Sequence, residues 1–296
     1  MTSKKRNPII TLINNILYLT KHDLRESNLS LANKIIKKAK YEIKSEWDNI
    51  KVPKIKDSFE TLEVLLNSNK SLIRFGDGEF EIMRGNSIPF QNYDENLSKS
   101  LREIFYDNSN SELLSGAPYE FFHNAENLRF FNQDYMYNYM IDNMNNLLKF
   151  YNFDKEYYST TISQIYPLYE NYDFEKHYSM LKSLFKDKKI TLITGNRVLN
   201  NLEFNVLEEA TSVNYIYGPT KHAYSEINSL REEVSKVEKD NILVFAIGPC
   251  GKVLGCEMFK QGYRVLDIGH SIKDYDTYKK SVTMDKNEVR KFFKPD

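Results

Sequence analysis

Cysteine is scarce in this chain: two in 296 residues, Cys250 and Cys256. Their spacing makes neither a C-x-x-C pair nor a disulfide framework, so a stapled secreted scaffold is excluded and a reduced compartment is expected. Net charge is missing too. Lys and Arg together number 41, and so do Asp and Glu. That balance argues against a broad nucleic-acid-binding face but leaves room for a local basic pocket. No apolar run approaches the roughly 18 residues a membrane span needs. The apolar stretch near the N-terminus is interrupted by Asn14 and Asn15, and no small-residue cleavage site follows, so a signal peptide is not expected. These absences point to a cytoplasmic protein, whose first helix could still touch the inner face of a membrane. The 11 glycines form neither G-x-G-x-x-G nor a Walker lysine loop, so ordinary dinucleotide and P-loop readings lose support.

What is present is an alternation of helices and strands. Residues 1–52 read as a lysine-rich helical extension, with Ile35, Ile36, Ala39 and Ile43 at helical spacing. Such helices could pair protomers or pack on the rest of the chain. Val52-Pro53 breaks the pattern, and one domain is expected over 53–296. Asp57 to Glu60 spells a capping box ahead of a helix bearing Phe59, Leu62 and Leu66. Ser71 to Phe75 reads as a strand, Asp94 to Tyr106 as a helix, and Met136, Met140, Met144 and Leu147 mark another helix. The second half is plainer. Strands are predicted at 190–194, 213–217, 241–247 and 263–268, and helices at 224–237 and 251–261. This rhythm predicts an α/β fold with a Rossmann-like, doubly wound, mostly parallel sheet.

Open α/β sheets bind ligands beyond the carboxyl ends of their strands, and several chemistry-bearing turns stand there. Arg74-Phe75-Gly76-Asp77-Gly78-Glu79 ends the first long strand. Read as continuing strand, Asp77 and Glu79 point the same way and could hold a cation between them. Oxygen ligands suit Mg²⁺ or Mn²⁺ with substrate phosphates. Gly76 and Gly78 would admit a bulky ligand, and Arg74 could hold a phosphate or orient a carboxylate. Gly248-Pro249-Cys250-Gly251 opens a helix whose free N–H groups could take phosphate oxygens, with Lys221 as a second anchor. His270 could contact a phosphate or a sugar hydroxyl, and Asp274 or Asp276 could serve as general base. Taken singly, each has a plainer reading: a solvated acidic turn, a strand-ending Gly-Pro, a capping histidine.

Taken together, "IRFGDGEF" with "IPFQ" after it, "YIYGPTKHAYSE", "FAIGPCGKVLGCEMFKQGYRVLDIGH" and the acidic tail through Asp276 resemble glycosyltransferases of the GT-D fold. The resemblance implies a metal-dependent transferase using Mn²⁺ or Mg²⁺. Its donor would be a nucleotide sugar, UDP-glucose the first choice. Its acceptor would be a glycan or glycoprotein of the bacterial surface. Asp77 and Glu79 would be the Asp-x-Glu motif, and His270 with an acid six residues on would complete the site in an inverting transfer. Two departures stand out: Asp276 replaces the usual Glu, and Cys250 replaces Thr or Ser. A metal-dependent phosphohydrolase and a non-catalytic nucleotide- or glycan-binding module remain the alternatives.

Overall fold

The structure is a computed structural model that describes residues 13, 35–39, 41, 50–123 and 125–294. Among them run eight strands: β1 (Lys54–Ile55), β2 (Ser71–Arg74), β3 (Leu113–Ala117), β4 (Glu156–Ser159), β5 (Lys189–Gly195), β6 (Ser212–Gly218), β7 (Ile242–Ala246) and β8 (Val265–Asp267). They form one sheet in the order β1-β4-β3-β2-β8-β7-β5-β6, and every strand pairing is parallel. The helices used below are α1 (Ser58–Leu66), α2 (Asp77–Met83), α3 (Glu95–Tyr106), α4 (Phe130–Leu147), α5 (Ile165–Leu168), α6 (Phe174–Ser183), α7 (Ile227–Val234), α8 (Gly248–Lys260), α9 (Ser271–Lys279) and α10 (Lys286–Phe292).

Side chains explain the layering. In β7 all five residues are buried. Leu243 and Phe245 enter the core on one face of the sheet, and Val244 and Ala246 the core on the other. Leu72 and Ile73 split the same way in β2. A strand buried on both faces needs apolar residues at every position, as doubly wound sheets require. The methionine stripe of α4 is core: Met136, Met140 and Met144 are buried. Asp57 makes the expected capping box, accepting from the Glu60 N–H at 2.9 Å and donating its own N–H to Glu60 at 2.9 Å. Such caps contribute about 1 kcal/mol.

The chain leaves β5 toward β6 but leaves its neighbour β7 toward β8, the opposite way. Opposed exits from adjacent strands open a crevice at their carboxyl ends. Of the predicted helical extension, residues 35–39 and 41 are described and helical, and they pack on the domain. Tyr41 donates to the Phe121 carbonyl at 3.0 Å, and Lys37 meets Asp142 at 3.2 Å. Apart from Ile13, the rest of 1–49 lies outside the described residues. Among the described residues no helix is long and apolar enough to cross a membrane.

Three expectations need correction. β2 ends at Arg74, and the acidic turn opens α2 instead of prolonging the strand. The predicted helix 224–237 is a 3-10 turn over Ala223–Glu226 followed by α7. The short strands β1, β3 and β4 had no counterpart in the pattern.

Candidate active site

A cavity of about 590 Å³ opens at the carboxyl ends of the central strands. Turns after β2, β5, β7 and β8 all reach it, through Gly76 and Asp77, Val198, Ile247 and Gly248, and Gly269 and His270. Its lining also carries the apolar side chains Phe90, Leu128, Phe131 and Phe293, with Lys273, Arg290 and Lys294 among them.

At its floor lies a buried cluster of four charges. Arg74, the last residue of β2, donates Nε to the Asp267 carbonyl at 2.8 Å and Nη2 to Asp267 Oδ1 at 3.2 Å. Its Nη1 donates to the Thr160 carbonyl at 2.6 Å and to Ser163 Oγ. Lys252, one turn into α8, sets its Nζ 3.0 Å from Asp267 Oδ2 and 3.2 Å from Glu79 Oε1. Two cations and two carboxylates balance, which is the condition for burying charge at tolerable cost. Burial alone would raise the Asp267 carboxyl, but Arg74 and Lys252 hold it below its usual value. Burial would lower Lys252, but Asp267 and Glu79 raise it, so the ammonium stays charged. Gly269 makes the cluster possible. Its φ is +45°, and a Cβ there would lie 1.9 Å from Arg74 Nη2.

The acidic turn is helical, so Asp77 and Glu79 are not strand neighbours. Glu79 turns back, accepting the Gly76 N–H at 2.8 Å while its other oxygen meets Lys252. Asp77 accepts its neighbour Gly78 N–H at 2.9 Å and the Tyr135 hydroxyl from α4. Its exposed surface faces the cavity interior, and burial by the surrounding walls pushes its carboxyl up, opposed by Tyr135 and reinforced by Glu79. Unlike Glu79, Asp77 meets no cation among the described residues. Among those residues no cluster of three metal-ligating side chains exists. A Mg²⁺ or Mn²⁺ held by one or two carboxylates plus diphosphate oxygens and water needs no such cluster, and Asp77 with Glu79 beside it fits that mode.

The remaining candidates divide. Gly76, Gly78, Gly248, Pro249 and His270 line the cavity with Arg74, Asp77 and Glu79. Ile247, Gly248 and Cys250 carry backbone N–H groups in the unpaired first turn of α8, and the missing donor at Pro249 costs nothing there. The Cys250 side chain is sealed, its thiol pushed up to about 12 by burial. Gly251 is buried, and a Cβ would stand 3.1 Å from Ile247 Cγ2, so it serves helix-to-strand packing. His270 caps α9 between Phe90, Phe292 and Phe293, with ring centroids 5.6–6.1 Å away. Burial first, then Arg74, Lys273 and Lys252, lower its pKa to about 3, so the imidazole is neutral. No described residue hydrogen-bonds its ring nitrogens.

Three candidates stand apart from the cavity. Lys221 is exposed and outside the lining, to which its loop contributes Pro219 and Thr220. Asp276 faces the other way. Its Oδ1 accepts the Glu203 and Phe204 N–H groups at 2.9 and 3.0 Å, and Oδ2 meets Lys280 at 2.9 Å. Asp274 is buried and accepts the Ile165 and Tyr166 N–H groups, both at 3.1 Å, capping α5. Burial raises it to about 7, yet both oxygens are taken. The expected base therefore turns out to be a clamp on the 203–204 loop. Lys252, Asp267 and Tyr135 were missed. A lone charge within GPCGKVLGC, and another within VLDIG, were the available signals.

Comparison with known proteins agrees with this geometry. Residues 72–293 match the family described as "Glycosyltransferase GT-D fold". "Glycosyltransferase GlyD" of Streptococcus pneumoniae is 31% identical over 229 residues, covering 76% of this chain and 28% of that protein. "Probable glycosyl transferase Gly" of Streptococcus gordonii is 29% identical over 220 residues, covering 74% of this chain and 32% of that protein. The chain thus spans about a third or less of the length of these curated relatives. The solved structure "A New Glycosyltransferase (DUF1792) from Streptococcus sanguinis" superposes with a TM-score of 0.75 at 27% identity, over 79% of this chain and 87% of that one. A second, "The highly conserved domain of unknown function 1792 has a distinct glycosyltransferase fold", gives 0.75 at 26% identity, over 83% and 86%. With the family matched across most of its length, the sheet order and the cavity at its carboxyl edge in place, this chain belongs to the GT-D fold glycosyltransferase family.

Proposed function

We propose that this chain is a glycosyltransferase domain. It moves a sugar from a nucleoside diphosphate donor, UDP-glucose the first expected, to a hydroxyl of a bacterial surface glycan or glycoprotein. One observation carries this reading. The open N-terminus of α8, the buried Lys252 and the acids Asp77 and Glu79 all meet one cavity. Amide N–H groups and the helix dipole suit a diphosphate. Lys252 adds positive potential from one turn deeper, pinned by Glu79 and Asp267 so that it need not reorganise. A divalent ion held by Asp77, with Glu79 beside it, would neutralise charge developing on the departing diphosphate. His270, neutral and with free ring nitrogens, can donate one hydrogen bond and accept another, to a phosphate oxygen and a sugar hydroxyl. The rings of Phe90, Phe131 and Phe293 give the transferring sugar apolar surface to pack on.

The test is a donor screen. Purified protein is incubated with nucleoside diphosphate sugars, with and without Mn²⁺ and a glycan acceptor, and products are separated. Acceptor-dependent transfer that drops at least ~100-fold in Asp77→Ala is expected. Acceptor-independent phosphate release would favour a phosphohydrolase, binding without turnover a non-catalytic module, and near-normal turnover by folded Asp77→Ala would refute the metal assignment.

A further inference from the structure

The cavity lining holds two carboxyls that nothing above employs, Glu81 and Glu120. Glu81 spends Oε1 on Arg84 and the Tyr139 hydroxyl and Oε2 on the Asn86 amide. Glu120 follows β3 in a 3-10 turn over Tyr119–Phe121 and lines the cavity although only 5% of its surface is exposed. One oxygen is occupied: Oε1 accepts the Thr161 hydroxyl at 2.8 Å and the Tyr169 hydroxyl. The other, Oε2, takes no hydrogen bond from another described residue. The residue's own backbone N–H also bonds its carboxylate. With Oε1 occupied and Glu120 in the lining, Oε2 is the oxygen left to meet the cavity.

We propose that Glu120 is the catalytic base of this site, its Oε2 receiving the proton of the acceptor hydroxyl. The proposal rests on the transferase reading above. In the step, the acceptor oxygen forms a bond to the anomeric carbon. The bond from that carbon to the diphosphate oxygen breaks, with its electron pair going to the diphosphate. The hydroxyl proton passes to Oε2, leaving Glu120 neutral. Placement separates this acid from the others. Asp77 and Glu79 stand at the charged end of the cavity, and Asp274 and Asp276 spend their oxygens on backbone N–H groups. Glu120 is joined to that charged end through one residue, since Thr160 beside its partner Thr161 accepts from Arg74 at 2.6 Å. Two fixed hydroxyls aim the carboxylate through Oε1, and no other described residue bonds its second oxygen. Thr161 is itself anchored, 2.6 Å from Ser159 Oγ. The setting strengthens the base: burial raises the carboxyl, only partly offset by the Tyr169 hydroxyl, Glu120's own backbone N–H, the Thr161 hydroxyl and His123. Tyr119 and Tyr172 are the other ionisable groups that face it.

Glu120→Gln keeps the shape and the Oε1 acceptor but not the base. With wild type active, kcat for transfer is expected to fall ~10²- to 10⁴-fold. Donor KM and UDP affinity should stay within about threefold, as for a base that does not hold the donor. Formate added to Glu120→Ala should restore part of the lost turnover, which a structural role would not allow. Should Glu120→Gln melt below the assay temperature, Glu120→Asp carries the test, with at least a tenfold loss of kcat at unchanged donor KM expected. A kcat within threefold of wild type in either variant, or a loss confined to donor affinity, overturns the proposal alone. Absence of transfer by wild type with every donor overturns the transferase reading and this proposal with it.

Discussion

Replacing Lys252 with Met tests the buried charge cluster. The side chains are similar in volume, so packing is largely kept while the ammonium disappears. Its contacts, 3.2 Å to Glu79 and 3.0 Å to Asp267, vanish together. Asp267 retains Arg74 at 3.2 Å, whereas Glu79 retains only the Gly76 N–H at 2.8 Å. Removing one partner of a buried ion pair costs ~3–5 kcal/mol. Against a total stability of ~5–15 kcal/mol that is a large fraction. At roughly 2–4 °C per kcal/mol, Tm should fall by about 6–20 °C. The sign of the pH dependence is also determined. Asp267 is held below its ordinary value, so its stabilisation is present above the unfolded pKa of ~3.9 and lost as pH falls through the lower folded value. Lys252 supplies part of that lowering, so wild type and Lys252→Met should differ fully at pH 7 and converge in acid below about pH 4. Urea unfolding at pH 7 and in steps below pH 4, with Lys252→Arg as the charge-keeping control, reads this. A Lys252→Met loss under 1 kcal/mol at pH 7, or one that grows in acid, would refute the reasoning.

Other expectations follow from individual contacts. Gly269→Ala forces a side chain into φ +45° and onto Arg74, and should cost at least ~2 kcal/mol by denaturant unfolding; a neutral result would mean that Arg74 does not need that space. Asp276→Ala should cost ~1–3 kcal/mol by freeing the Glu203 and Phe204 N–H groups, with kcat per folded molecule within threefold of wild type; a hundredfold activity loss at full folding would restore it as the base. His270 and His177 are held neutral in the fold, lowered to about 3 and about 4 chiefly by burial. The folded state therefore resists protons that the unfolded chain takes up below ~6.5, and stability should fall as pH drops from there. His270→Gln should flatten that slope by up to about one proton, measured by unfolding between pH 5 and pH 7.

How far the sequence could be read depended on whether the cause was local. Strands such as ILVFA and ITLIT announce themselves, because burial on both faces demands unbroken apolar residues and Gly-Pro turns end them. The two-residue β1 and the small-residue LLSGA of β3 carry no such pattern. β3 needs Gly116 because a Cβ there would press to 3.2 Å on Arg74 of β2, a tertiary reason. The acidic turn was visible as a site and misread in form. Gly76 with Glu79 three residues later is a helix-start signal, and it outweighs the strand before it. Asp276 was misassigned because its backbone partners lie more than 70 residues upstream, in a loop whose docking no local pattern encodes. Glu120 escaped notice for the same reason: its hydroxyl partners come from 41 and 49 residues downstream.

The most direct measurement of the central claim is UDP binding by calorimetry, with and without Mn²⁺, to wild type and Asp77→Ala. The account expects wild type to bind UDP with Mn²⁺ at least tenfold more tightly than without it, and Asp77→Ala to lose that gain while still melting cooperatively. UDP binding that is indifferent to the metal and to Asp77 alike, or no UDP binding by wild type, would contradict it.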